Sequence, residues 1–67
     1  MIEIKEEYFD KKVSVKCKDG ITVTGVLADW TSAAANEPDP ESITVDRPGG
    51  YPVEIYVKDI ETLKLSK

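Results

Sequence analysis

The sequence predicts a mainly β fold: a five-stranded, strongly bent antiparallel sheet forming a small barrel, with a short N-terminal helix. Three observations lead there. Apolar and polar residues alternate with the period of two of a half-buried strand, clearest where Val13, Val15 and Cys17 alternate with Ser14, Lys16 and Lys18. Asp19-Gly20 follows at once, a hairpin signal because glycine readily supplies the positive φ that tight turns require. Gly25 then sits inside the next alternating run, where an isolated glycine marks a bulge or a sharp bend. Five short strands, one of them bent, cannot bury their apolar faces as a flat open sheet of this size, and curling the sheet into a barrel does it better.

The elements follow in order. Ile4 and Tyr8 lie one helical turn apart, so the charged opening "MIEIKEEYFD" predicts a turn or two of helix around Glu3 to Phe9, with "IEIK" equally readable as a short strand. "KKVSVKC" is the first strand. "ITVTGVL" is the second, with Ile21 and Val23 alternating with Thr22 and Thr24 and a continuation past Gly25 through Val26 and Leu27. A long connection, "ADWTSAAANEPDPES", runs from Ala28 to Ser42, where Pro38 and Pro40 break any ladder because they lack amide hydrogens. "SITVD" is the third strand, with Ile43 and Val45 inward. After a turn at "RPGG", "YPVEIYV" is the fourth, with Val53, Ile55 and Val57 on one side. A short break at Lys58-Asp59, in the form of a 3₁₀ turn, leads to "IETLKL", the fifth strand, with Leu63 and Leu65 inward.

Sixty-seven residues make a single domain, 1–67, with a thin core. Folds this small usually take a staple or a partner. The lone Cys17 cannot close an internal disulfide, so self-association is the expected support. With no cysteine framework, no signal peptide and no run of about 20 apolar residues, the expectation is a cytoplasmic protein without a membrane span. The net charge of −4 lowers the expectation of nucleic-acid binding, which draws on basic surfaces. The absence of histidine removes Ser-His and Cys-His catalytic pairs and His-containing metal sites. Neither catalytic residue, cofactor nor metal site is expected.

The stretch "VSVKCKDGITVTGVL", a strand, a "KDG" turn and a strand bent at glycine, resembles the first motif of the Sm and Sm-like (LSm) family, with Asn36 within a residue of that motif's asparagine. The order of elements is similar over most of the chain. The resemblance implies a five-stranded bent barrel after a short helix, assembled into rings by pairing the fourth strand of one subunit with the fifth of the next. It also implies an RNA pocket, but the residues depart from it. Where the family commonly carries a base-stacking side chain, two positions before the motif asparagine, this chain has Ala34. Where the family carries an Arg-Gly pair, or Lys-His in its bacterial RNA-chaperone branch, this chain has Tyr56-Val57 followed by Lys58. Stacking is worth about 1–3 kcal/mol per base, so losing it together with the basic pair weakens such a pocket greatly.

The candidate residues each carry two readings. Asn36 is a remnant of a base-reading site or, the favoured reading, a loop asparagine bonding backbone. Glu37, Asp39 and Glu41, with Asp46, offer oxygens to a hard cation, but the glycine of the best-known calcium loop is missing and a solvated acidic loop is favoured. Trp30 is a core cap, the favoured reading, or an anchor for a partner. Tyr51 and Tyr56 face away from Val53 and Ile55, which suits a subunit contact. Cys17 reads as a small core residue. The functional expectation is a non-enzymatic, self-assembling scaffold of unknown process, with subunit contacts at Val53, Ile55, Tyr56, Val57, Ile60 and Leu63 and a partner loop around Trp30, Glu37, Asp39 and Glu41. The alternative is RNA binding at a modified pocket of Asn36, Tyr56 and Lys58, supported by Lys11, Lys12, Lys16 and Lys18.

Overall fold

The computed structural model describes residues 4–66. A single 3₁₀ turn, η1 (Glu6–Tyr8), precedes strands β1 (Lys12–Cys17), β2 (Thr22–Thr31), β3 (Ser42–Asp46) and β4 (Val53–Tyr56). A second 3₁₀ turn, η2 (Val57–Asp59), leads into β5 (Ile60–Leu65). The strands form one antiparallel sheet in the order β4-β3-β2-β1-β5. The mainly β class and the five strands agree with the sequence reading. The N-terminal helix shrinks to η1, whose Tyr8 packs against the core beside Ile4 and the following Phe9; Glu3, where the helix was expected to start, lies outside the described residues.

β2 organises the sheet. At ten residues it is twice the length of β3. Its first half pairs with β1, from Lys12↔Val26 to Lys16↔Thr22, and its second half pairs with β3, from Val26↔Asp46 to Thr31↔Ser42. The hand-over falls at Gly25 and Val26. Gly25 is buried, and a Cβ there would overlap the Asp46 carbonyl oxygen and stand 2.9 Å from Val45 Cγ1. Only glycine lets the β3 backbone come this close, so the sequence signal at Gly25 marks the place where one strand passes from one partner to the other. A register shift between Leu27 and Asp29 follows.

The long connection is shorter than expected for the same reason. Ala28 to Thr31 continue β2 instead of opening a loop, and the loop proper is 32–41. Pairing with β3 carries the strand past Ala28 and Asp29, both poor strand formers, to the strand-favouring Trp30 and Thr31. At the other end, Val57 leaves the expected fourth strand for η2 while remaining buried.

Strand order and chain connection together force curvature. β4 and β5 lie at opposite ends of a sheet about 19 Å wide if flat, at about 4.8 Å per strand spacing. The three residues of η2 join them, and a 3₁₀ turn advances only about 2 Å per residue. The sheet must therefore curl until its two edges converge. Two backbone bonds fix the closure: Lys18 N–H donates to the Asp59 carbonyl at 2.8 Å, and Val57 N–H donates to the Glu41 carbonyl at 2.9 Å. No ladder joins β4 to β5, so the expected barrel appears as a curled sheet whose two outer edges are unpaired among the described residues.

The concave side holds the core: Val13, Val15, Leu27, Ile43, Val45 and Ile55 from the strands, with Val57 and Ile60 from the β4–β5 join. The inward assignment of Leu65 fails, and Ile21, which shares the alternation of its strand, is exposed as well. Ile21 precedes β2 at the hairpin end and is 60% exposed, and Leu65, at the tip of an edge strand, is 49% exposed. Both have the right parity for the core, but too few strands flank them to cover them.

Candidate functional site around the β4 edge

Loop 32–41, β4 and η2 meet at one end of the sheet. The loop is built on its own polar groups. Ala35 N–H donates to Ser32 Oγ at 3.2 Å, Asn36 N–H to the Ser32 carbonyl at 3.0 Å, and Asp39 N–H to the Asn36 carbonyl at 2.7 Å. The Asn36 side chain closes the loop, its amide donating to the Pro40 carbonyl at 2.8 Å and reaching Ser42 Oγ at 3.5 Å. Ser42 Oγ donates in turn to Glu54 Oε2 at 2.8 Å. Ser42 is 1% exposed although its register places it on the outward side, across from Tyr56. The loop therefore lies over the outer side of β3 and β4, pinned by the chain Asn36–Ser42–Glu54.

The structure brings the three candidate pocket residues to this end. Tyr56 ends β4 half-buried, Asn36 reaches it through Ser42, and Lys58 lines a shallow cleft with Pro40, Glu41 and Val57. The surroundings are acidic. Asp39 foremost, then burial, with Glu54 and Asp59 adding to it, pushes the Tyr56 hydroxyl above its usual range. A side chain so placed sits in negative potential, and the Asn36 amide is committed to the loop itself.

Trp30 is corrected from core to surface. It lies on β2 rather than in the loop, opposite Ile43, and is 40% exposed. Its indole N–H donates to Glu41 Oε2, so Glu41 ties the aromatic ring to the loop while its own carbonyl takes the η2 amide. Glu37 and Asp39 are exposed on the same loop. Among the described residues no three acids or cysteines cluster as a metal site, and Glu41 is engaged with Trp30. Tyr51 stands out in solvent next to the turn before β4.

The free edge of β4 borders an open groove of about 650 Å³ whose opposite wall is the β1–β2 hairpin. Ile21, Val23, Val53 and Ile55 give it an apolar floor, and Asp19, Glu54 and Asp59, against the single Lys18, give it an acidic rim. Cys17 opens onto it, partly buried; burial first, then Asp19 and Asp59, raises its thiol above the usual value and so disfavours the nucleophilic thiolate. Of the expected contact residues, Val53, Tyr56 and Leu63 are half-buried, whereas Ile55, Val57 and Ile60 fill the core. Along the outer strands, Val53, Tyr56 and Leu63 are thus the expected contact residues that keep accessible side-chain surface.

Sequence reasoning missed Ser42 and the double role of Glu41. A serine preceding "ITV" looks like an ordinary outward strand residue, and nothing local signals that a loop will cover it. The fold and this site define a class: a small all-β domain, one curled antiparallel sheet with two unpaired edges and an apolar groove along one of them. Comparison of the chain with protein-family models, curated proteins and solved structures finds no match.

Proposed function

We propose that the chain is a non-enzymatic Sm-like subunit that self-assembles head to tail and serves as a protein-interaction scaffold. The observation that carries this reading is the pair of unpaired edges. β4 offers free backbone groups beside an apolar groove, and β5 offers free backbone groups with the half-exposed Leu65. Edge strands of this kind are templates for another chain. Pairing β5 of one copy with β4 of the next satisfies both edges and continues the sheet, and a head-to-tail contact of this kind yields a ring when its rotation closes. The element order, the bent β2 and the 3₁₀ join between β4 and β5 support the Sm-like reading, in which the assembly completes the barrel. The acids around Tyr56 and the committed Asn36 amide favour this reading over an RNA pocket at Asn36, Tyr56 and Lys58. The pinned acidic loop, with Trp30, Glu37, Asp39 and Glu41, is the surface offered to a partner.

Light-scattering mass against protein concentration tests it. The wild type is expected above monomer mass, and Leu65→Glu, at an exposed edge position, is expected to fold and run as a monomer. A wild type that stays monomeric at every concentration overturns the proposal.

A further inference from the structure

The outward side of the other half of the sheet carries a different chemistry. On β1 the outward residues are Lys12, Ser14 and Lys16. The ladders place Val26, Thr24 and Thr22 of β2 across from them on one side, and Lys64 and Thr62 of β5 across from Ser14 and Lys16 on the other. Strands about 4.8 Å apart and outward rows about 6.8 Å apart make these eight positions a small grid. It holds three lysines, four hydroxyls and one valine, and no carboxylate.

The charge is concentrated there. The chain carries −4 overall, so with +3 on this grid the rest of the molecule carries −7. One acid reaches in from the margin: Glu61, in the irregular stretch of β5, stands 3.8 Å from Lys16 Nζ, with both side chains half exposed. Exposed pairs of this kind are screened and weak. Asp46 borders the grid beyond Val26, and Arg47 shares a recess with Lys12 and Val26 at that corner. The molecule measures 32 × 23 × 22 Å, and charges beyond about 10 Å are largely screened at 0.1 M salt. Acids farther than that from the grid are therefore screened from its lysines at moderate ionic strength.

We infer that this convex face docks on the phosphate backbone of double-stranded nucleic acid, without reading sequence. A protein partner needs aromatic or apolar anchors entering pockets, and the grid offers only Val26. A single strand is held by stacking on aromatic side chains, and the grid has none. A duplex backbone asks for cations and hydroxyl donors at regular spacing and returns affinity through counterion release, which this face supplies. The inference is independent of assembly, since strand addition at the edges leaves the outward face open.

Fluorescence anisotropy with a labelled mixed-sequence DNA duplex of about 20 base pairs tests it. Three phosphate contacts give a slope of log K against log salt of about −2.7, so binding weakens about 40-fold between about 50 and about 200 mM salt. A second duplex of unrelated sequence binds equally. Each of Lys12→Gln, Lys16→Gln and Lys64→Gln shallows the slope by about 0.9; all three together abolish binding at the lower salt, while the three Lys→Arg changes preserve it, and circular dichroism shows all variants folded. Absence of duplex binding at about 50 mM salt overturns the inference, as does a triple Gln variant that binds like the wild type. So does tighter binding of single-stranded RNA that is lost with Tyr56→Ala or Lys58→Gln, which moves the activity to the loop pocket. Binding to phosphatidylserine vesicles but not to duplex also overturns it.

Discussion

The outer side of the sheet is two surfaces made from one set of strands. Over β3 and β4 it is acidic and covered: loop 32–41 lies on it, Ser42 is sealed beneath, and hydrogen bonds run from Asn36 through Ser42 to Glu54. Over β5, β1 and the first half of β2 it is basic, hydroxyl-rich and bare. Strand alternation produces outward polar residues in both halves. What separates them is where the long connection goes. Because β2 hands over from β1 to β3 at Gly25, the loop after Thr31 returns over β3 and β4 and leaves β1 uncovered. One half became a fixed structure with a groove beside it, and the other an open charged face.

The comparison breaks most severely at the hand-over. Gly25→Ala forces a Cβ into the Asp46 carbonyl, and overpacking of this kind costs about 1–3 kcal/mol. At about 4–8 °C per kcal/mol for a domain of this size, the melting temperature drops by about 4–24 °C. A variant that melts with the wild type means that β2 bends without needing the close approach.

The two halves respond differently to the same change. Ser42→Ala removes the hydroxyl beneath Asn36 and leaves Glu54 without its partner, with an expected cost of about 1–2 kcal/mol. Ser14→Ala, outward on the open half, is expected to stay within about 0.5 kcal/mol. Urea titrations of both measure the contrast, and equal effects erase it.

The smallest effect is in the alkaline limb. Cys17 and Tyr56 both ionise at higher pH in the folded chain than in the unfolded one, because burial and nearby acids disfavour their anions. Their contribution to stability is complete below the ordinary thiol value near 9.0 and is lost as pH rises through the folded values. Thermal melts from pH 7 upward are thus level at first and then fall. Cys17 also alkylates more slowly at pH 8 in the native chain than in urea; equal rates would refute the burial argument.

Much of the architecture was written locally. The alternation of Val13, Val15 and Cys17 with Ser14, Lys16 and Lys18, the Asp19-Gly20 turn, the bend at Gly25, inward Ile43 and Val45, and the 3₁₀ step near Lys58 all follow from periodicity and backbone preference, which neighbours along the chain fix. Tertiary structure decided the rest. Trp30 reads as core by hydrophobicity, yet it lies at the far end of a strand extended by pairing with β3, where too little chain surrounds it. Ile21 and Leu65 have core parity but lie at the hairpin end and on an edge strand. Ser42 has surface parity and is sealed by a loop. Strand parity is a property of each segment by itself, whereas burial depends on which distant segment folds across it. The sequence alone determined the number of strands and the inward side of most of them; pairing with β3 set how far β2 runs, and the packing of loop 32–41 and the curl enforced by η2 decided which outward side stayed open.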